Sequence, residues 1–358
     1  MPDRPRGKPI VTANQVTMAR LLLLPFGCFL LYQGTRGQWV ALWAMTIVGC
    51  TDFVDGWLAR RYGPTVLGGL MDPIADKMFI ALTMLPALDL GWFPVSAVTL
   101  LFFREFVITA ARTAYSRRQV TLRTSYLAKV KTWFQMISVG LIFLVRIDPE
   151  GLITVFTVCT LAPIAGGLVF YAVRRRVWRG AVAFAVSFAG FRLLAQFAGP
   201  PGISFVVVWS TVLITWASGA AYLVGLRDLP GTARFDAHDA VRLFGAASLP
   251  LLACALIADP ELPAWPVFTT VALEFAIGGL DNLLAHQQRL GDWRWWGLRV
   301  GLQAGLLGAA LAVLGSGGDR ALASTLSLGA LGVTLIATVA YFYHYRRSYL
   351  DAAEALSA

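Results

Sequence analysis

Charge is scarce in this sequence. Of its 358 residues only 14% are Asp, Glu, Lys or Arg, and 57% are apolar; soluble domains carry about 25% charged residues. That shortage, with repeated apolar runs of about 20 residues, excludes an ordinary soluble domain and points to a bilayer. Cysteine is also sparse. Cys28, Cys50, Cys159 and Cys254 each sit inside an apolar run and none forms a CxxC pair. A disulfide framework and a thiolate metal site are therefore excluded, and the four read as small buried residues. His238, His286 and His344 are the only histidines and are too scattered for a metal triad. Acids are outnumbered, giving a net charge of +10. In a soluble chain that would suggest nucleic acid, but the placement of the charges argues otherwise.

What is present is a series of twelve apolar segments, centred near Leu23, Thr46, Leu82, Phe103, Val139, Leu161, Phe188, Leu213, Leu251, Phe275, Leu306 and Leu331. The predicted fold is an all-α polytopic membrane protein of about twelve transmembrane helices with both termini cytoplasmic. The basic residues set that orientation. Arg36, Arg146 and Arg320 fall in the outside connections, and Lys77, Arg104 and Arg192 fall in or at the ends of segments. All other lysines and arginines, Arg20, Arg242 and Arg299 among them, are assigned to the inside stretches. Such loops explain the net charge without nucleic acid and favour anionic headgroups. The basic N-terminus, Met1 to Asn14, precedes an apolar run that is long, contains Arg20 and lacks a small-residue cleavage site. It is read as a retained first membrane helix rather than a signal peptide. The polar stretch Arg227 to Arg242, with Asp228, Pro230, Gly231, Asp236 and Asp239, divides residues 1–227 from a four-helix membrane region, 228–358, whose function the sequence leaves open.

The chemistry concentrates in Thr51 to Lys77, TDFVDGWLARRYGPTVLGGLMDPIADK. Asp52 and Asp55 are i,i+3 and Asp72 and Asp76 are i,i+4, so each pair shares a helix face. A turn near Tyr62 to Thr65 lets the two helices run antiparallel and the pairs converge. An ionised Asp at the bilayer centre costs roughly 2.5–3.5 kcal/mol, so four must lie near the interface or share bound cations. Oxygen donors without His or Cys select hard cations such as Mg²⁺, Mn²⁺ or Ca²⁺. Gly56 and Gly68 leave room for a ligand near the backbone, and Arg60 is a fixed cation suited to phosphate.

These residues resemble the signature of the CDP-alcohol phosphatidyltransferases, D-x-x-D-G-x-x-A-R followed by G-x-x-x-D-x-x-x-D. Here the pattern reads Asp52, Asp55, Gly56, Ala59 and Arg60, then Gly68, Asp72 and Asp76. One departure is a spacer of seven residues before Gly68 where the family usually has eight. Gly69 restores eight but shortens the next gap, so either glycine can line the nucleotide pocket. Asn14, Thr17 and Arg20 fit an N-x-x-T-x-x-R start. Arg104–Glu105 and the Lys129, Lys131, Thr132, Gln135 stretch resemble an R-E pair and a K-x-K-T-x-x-Q motif. These shorter motifs resemble the branch of the family that uses glycerol 3-phosphate. The family has six membrane helices, and Ser218, Gly219 and Tyr222 fit its closing S-G-x-x-Y signature. That placement makes the segments near Leu161 and Phe188 additional; alternatively the Leu161 segment is itself the sixth helix.

The resemblance implies transfer of a phosphatidyl group from CDP-diacylglycerol to glycerol 3-phosphate, with release of CMP. It implies Asp52, Asp55, Asp72 and Asp76 as ligands of two Mg²⁺ or Mn²⁺ ions, with Asp76 also the general base. Gly56, Ala59, Arg60, Gly68, Asn14 and Thr17 would face the cytidine diphosphate, and Arg104, Arg112, Lys129 and Lys131 the acceptor phosphate. The partners expected are CDP-diacylglycerol, an acceptor alcohol, the lipid bilayer and, as an assembly, a homodimer; no nucleic acid is expected. The location implied is a bacterial cytoplasmic membrane with the site at its cytoplasmic face. Competing readings keep the chemistry but change the acceptor to phosphatidylglycerol, an inositol phosphate or serine, or make the chain a non-catalytic transporter or scaffold. Outside the motif, Glu274, Asp281, Asn282 and His286 form a polar stretch read as structural pairing. Gly297, Gly301 and Gly305 read as a close helix contact, Trp293, Trp295 and Trp296 as an interface anchor, and Arg192 as a snorkelling or paired side chain.

Overall fold

The computed structural model describes residues 11–63, 65–120, 126–225 and 236–350. These form eleven helices: α1 Ala13–Leu31, α2 Gly34–Tyr62, α3 Val66–Asp89, α4 Val95–Arg117, α5 Tyr126–Ile147, α6 Leu152–Arg174, α7 Arg179–Gly225, α8 Ala237–Ile257, α9 Trp265–His286, α10 Trp293–Gly315 and α11 Arg320–His344. Among the described residues there is no strand. Each of the twelve predicted centres lies in a helix, because α7 has two arms. Gly199 breaks it in a left-handed conformation (φ 62°, ψ −173°), and Pro200 and Pro201 follow. Neither proline has an N–H to continue the ladder.

Seven helices, α1 and α6 to α11, are long and apolar enough to cross a membrane, as expected of an integral membrane protein. By that criterion, seven of the eleven helices among the described residues qualify, with the two arms of α7 counted as one. Helices α3 and α4 fall short because charge interrupts them: Asp72, Asp76 and Lys77 in one, Arg104, Glu105 and Arg112 in the other.

Local chemistry sets the ends that matter to the site. Thr12 and Gln15 form a reciprocal capping box at the start of α1, satisfying two otherwise unpaired N–H groups. Gly63 ends α2 at φ 103°, a backbone state that favours glycine. Thr65 then caps α3 through the Gly68 N–H at 2.9 Å. Asp236 caps α8 in a second box with Asp239. Both of these carboxylates accept from Arg117 at the end of α4, at 2.8 Å each, and Asp239 also accepts from Arg118 at 2.5 Å. Hydrogen bonds from Arg117 hold the Asp236 carboxyl well below the usual carboxylate range. The first turn of α8 is thereby pinned to the last turn of α4.

Helices α3 and α9 occupy the middle of the bundle. One apolar core runs from Phe79–Leu88 of α3 through Val267, Val271 and Phe275 of α9 and on to Leu307 and Ala323. A Cβ at Gly279 of α9 would collide with Ile74 of α3, so glycine sets how closely these two helices approach. Helix α6 buries only Leu152 and Phe156 and packs with the first arm of α7, where Arg192 donates to Thr157 at 2.8 Å. The second arm returns to α4, stacking Trp216 on Phe103 with ring centroids 6.3 Å apart.

Some sequence expectations are corrected here. Gly297 faces Val241 of α8, but nothing lies within 4 Å of where a Cβ on Gly301 or Gly305 would sit. Trp293 and Trp295 are exposed, as an anchor requires, whereas Trp296 packs under the guanidinium groups of Arg242 and Arg299. Those two arginines, and Arg20, lie within helices rather than in basic connections, with Arg20 and Arg242 buried and Arg299 partly buried. Arg227, Arg234 and most of the expected boundary stretch lie outside the described residues.

Candidate active site

The turn after α2 folds α3 back antiparallel, and the two aspartate pairs meet α1 between them. Arg20, only 2% exposed, is the centre of the cluster. Its Nη1 donates to Asp52 Oδ1 at 3.0 Å and to Asp76 Oδ1 at 3.2 Å, and its Nη2 lies 3.5 Å from Asp55 Oδ2. One turn earlier, Thr17 Oγ1 lies 3.1 Å from Asp55 Oδ2 and 3.2 Å from Asp72 Oδ1. Thr17, assigned from the motif to nucleotide binding, is thus a bridge between the two aspartate helices. Asp55 is buried, while the side chains of Asp52 and Asp76 remain 43% and 37% exposed. The half-exposed pair leaves one side of the cluster open.

The residues expected around a cytidine diphosphate border this cluster. Asn14 Oδ1 lies 3.0 Å from Thr65 Oγ1, and Gly68 packs beneath both, where a Cβ would come within 2.9 Å of Asn14 Oδ1. Gly69 has nothing within 4 Å. The tight position is therefore Gly68. Arg60 folds back over Gly56, its Nη1 3.4 Å from where a Cβ would be, and Ala59 is half-buried beside it.

No three His, Cys, Asp or Glu side chains among the described residues are grouped to hold a metal ion as they stand; Arg20 is the cation that the aspartates face. The donor chemistry nevertheless suits a hard divalent cation. It is all carboxylate oxygen, and one guanidinium leaves four carboxylates undercompensated.

Beside Asp76 opens a cavity of about 300 Å³ between α3, α4, α5 and α9. Lys77, Arg104, Arg112 and Lys131 line it, with Glu105 the one carboxylate facing them apart from Asp76. Glu105 Oε1 accepts from Lys131 at 2.6 Å, Arg104 at 3.1 Å and Gln135 at 3.4 Å. Arg104 also donates to Ser218 Oγ at 2.8 Å, and Gly219 is the close-approach point, since a Cβ there would lie 3.0 Å from Arg104 Nε. Ser218 and Gly219 thus meet the R-E pair directly. Lys77 donates to Thr109 at 2.7 Å and lies 5.8 Å from the centroid of the Phe275 ring. The arrangement can hold a phosphate-bearing ligand with its free end towards Asp76. The side chains of Lys129 and Tyr222 lie outside the described part of the structure.

Three contributors were not assigned from sequence. Arg20 had a signal, since it follows Thr17 by one turn on the same face. Lys77 directly follows the last aspartate. Phe275 comes from the C-terminal half, and no local pattern announces it.

Residues 10–163 match the family described as CDP-alcohol phosphatidyltransferase, and the four aspartates, Arg20 and most of the basic cavity lie inside the matched segment. Similar proteins make the resemblance more specific. Over 137 residues, 37% of this chain and 65% of the relative, it is 36% identical to a probable phosphatidylglycerophosphate synthase of Mycobacterium tuberculosis. Over 138 residues it is 35% identical to a CDP-diacylglycerol–glycerol-3-phosphate 3-phosphatidyltransferase of Cereibacter sphaeroides, covering 37% of this chain and 62% of that one. A Rickettsia felis protein of the same name is 28% identical over 171 residues, 45% of this chain and 94% of the relative. The chain thus spans just under two thirds of the length of the first two. No solved structure matches.

Proposed function

We propose that this protein transfers the phosphatidyl group of CDP-diacylglycerol to glycerol 3-phosphate, forming phosphatidylglycerophosphate and CMP. The observation that carries the reading is the basic cavity opening beside Asp76: four cations around Glu105, next to a four-carboxylate cluster. A neutral acceptor such as serine gives that much positive charge nothing to neutralise; a phosphomonoester does.

In this reading Asp52, Asp55, Asp72 and Asp76 hold two Mg²⁺ or Mn²⁺ ions, which when bound polarise the diphosphate and neutralise the leaving phosphate. Gly56, Ala59, Arg60, Gly68 and Asn14 border the cytidine end. Lys131, Arg104, Arg112 and Lys77 fix the acceptor phosphate, with Lys129 on the same helix as Lys131. Asp76 takes the proton of the acceptor hydroxyl, whose oxygen forms the new bond to the lipid-side phosphorus as the bond to CMP breaks. Positioning and electrostatics carry most of such a transfer. Twelve spans, both termini and the aspartate cluster on the cytoplasmic side, and a bacterial cytoplasmic membrane complete the reading, with residues 228–358 as an added membrane unit.

The test is CMP release by the purified full chain in nanodiscs with CDP-diacylglycerol, Mg²⁺ or Mn²⁺ and glycerol 3-phosphate, beside Asp76→Asn. Release that requires glycerol 3-phosphate and falls by about 10²–10⁴ in the variant, the usual contribution of general-base catalysis, supports the proposal. Release with another alcohol alone replaces the acceptor, and no release with any acceptor overturns the reading.

A further inference from the structure

A second polar site lies in the C-terminal helices, away from the aspartates. Two ion pairs, one buried and one part-buried, bridge α8, α9 and α10. Arg242 donates to Asp281 at 2.9 Å, and Arg299 pairs with Glu274. Both carboxylates are also engaged elsewhere: Asp281 accepts from Tyr341 at 2.5 Å and Glu274 from Gln303 at 3.0 Å. The arginines are not saturated. Among the described residues, Arg242, its side chain 3% exposed, has no partner for Nε or Nη2, and Arg299, 10% exposed, has none for Nη2. Unmet guanidinium donors are costly in a buried setting, and guanidinium groups have no acceptor function. The chemistry that satisfies them is an acceptor-rich anion.

These donors border a cavity with about 50 Å³ open to the centre of a water-sized sphere, room for one oxyanion. Phe275 and Thr109 line both this cavity and the basic cavity beside Asp76, so the two are neighbours and not one site. Trp296, whose ring centroid lies 4.6 Å from the Arg242 guanidinium and 4.2 Å from that of Arg299, holds both in place.

The same Trp296 and Arg299 also line a groove of about 730 Å³ between α9, α10 and α11. Its polar end, at Asp292, His344 and Tyr345, lies at the helix ends. Its other end is apolar, running past Leu302, Val333 and Ile336. Leu302 and Ile336 are exposed. Arg299 lies six positions into α10, about 9 Å from the helix end at 1.5 Å per residue, a depth suited to a headgroup entering from the interface.

We infer that residues 237–344 form a second lipid site, which binds one anionic phospholipid with its phosphate on Arg299 and Arg242 and an acyl chain in the α9–α10–α11 groove. The three unpartnered guanidinium N–H groups select a headgroup rich in acceptors, and the apolar groove selects a lipid over a free anion.

The test uses the purified full chain in detergent, with native mass spectrometry to count bound short-chain phosphatidylglycerol or phosphatidylcholine and thermal shift to detect inorganic phosphate. Glu274→Gln/Arg299→Gln removes one charge pair whole, so no buried charge is stranded. Leu302→Trp, on an exposed face, fills the groove. The wild type is expected to retain one phosphatidylglycerol at least about tenfold more tightly than phosphatidylcholine, the scale of one charge-assisted hydrogen bond. The double variant should lose that preference, and Leu302→Trp should weaken both lipids. Equal retention of the two lipids by the wild type, or a preference unchanged in the double variant, overturns the inference. Stabilisation by phosphate with no lipid retained also overturns it, by making the cavity a free-anion site. CMP release by each variant separates loss of the lipid from loss of the fold.

Discussion

Replacing Arg20 with methionine keeps much of the stem's volume and deletes the guanidinium that three of the four aspartates face. Removing one member of a buried ion pair costs about 3–5 kcal/mol, but that range cannot be applied three times. Asp52 and Asp76 reach solvent, and exposed pairs are worth about 0–1 kcal/mol. The cost therefore falls mainly on buried Asp55, which among the described residues keeps only Thr17 as a side-chain partner. The expected loss is about 3 kcal/mol, at the lower end of that range. Its size should depend on added cation. With chelator the variant unfolds well below the wild type. With Mg²⁺ or Mn²⁺ in excess much of the gap closes, because a divalent ion can neutralise the carboxylates that Arg20 neutralised. Arg20→Lys should fall between, since a single ammonium cannot match the fork that spans three carboxylates. The assay is thermal unfolding in detergent, with and without chelator, which reads the cluster whether or not the protein turns over. An Arg20→Met variant as stable as wild type in chelator would refute the role of Arg20 as the fixed counter-ion.

Further expectations concern the surrounding structure. Lys131→Met leaves Glu105 with Arg104 and Gln135 and removes a cation from the basic cavity; the KM for glycerol 3-phosphate should rise by about tenfold or more, with a smaller change in kcat, in a CMP-release assay. Gly279→Leu forces α9 away from Ile74, so the variant should lose stability by about 1–3 kcal/mol and lose activity with it, read by thermal unfolding and CMP release. The Asp236 carboxyl is held low by Arg117. Its stabilisation is present above its unfolded value, near pH 4, and is lost as the pH falls below that; Asp236→Ala should flatten this part of the acid-unfolding profile, by at most about 1 kcal/mol because the pair is half-exposed.

The aspartate pairs were legible in the sequence because i,i+3 and i,i+4 spacing fixes a helix face whatever the tertiary context. Apolar runs located the helices for a similar reason, and the twelfth is hidden only by the bend at Gly199, where two arms read as one helix. What was not legible is non-local. Arg20 and Arg242 look like inside charges because a basic residue near a helix end reads the same whether it points at lipid headgroups or at a carboxylate on another helix. Glu274 and Asp281 were read as structural pairing, and their partners are now identified as Arg299 and Arg242. The glycines at 301 and 305 show the converse: small residues at regular spacing permit close packing but do not require it.

The central position of α9 also bears on how the protein is made. Phe275, which lines the basic cavity, and Gly279, which sets the approach to α3, are synthesised roughly 190 residues after α3 ends. At about 5–20 residues per second, that is a delay on the order of 10–40 s. During it, the α3 and α4 faces that will meet α9 have no permanent neighbour. The cavity beside Asp76 acquires its last wall only when the chain is about three-quarters made, so a ribosome stalled before α9 leaves the aspartates in place and the basic cavity open on one side.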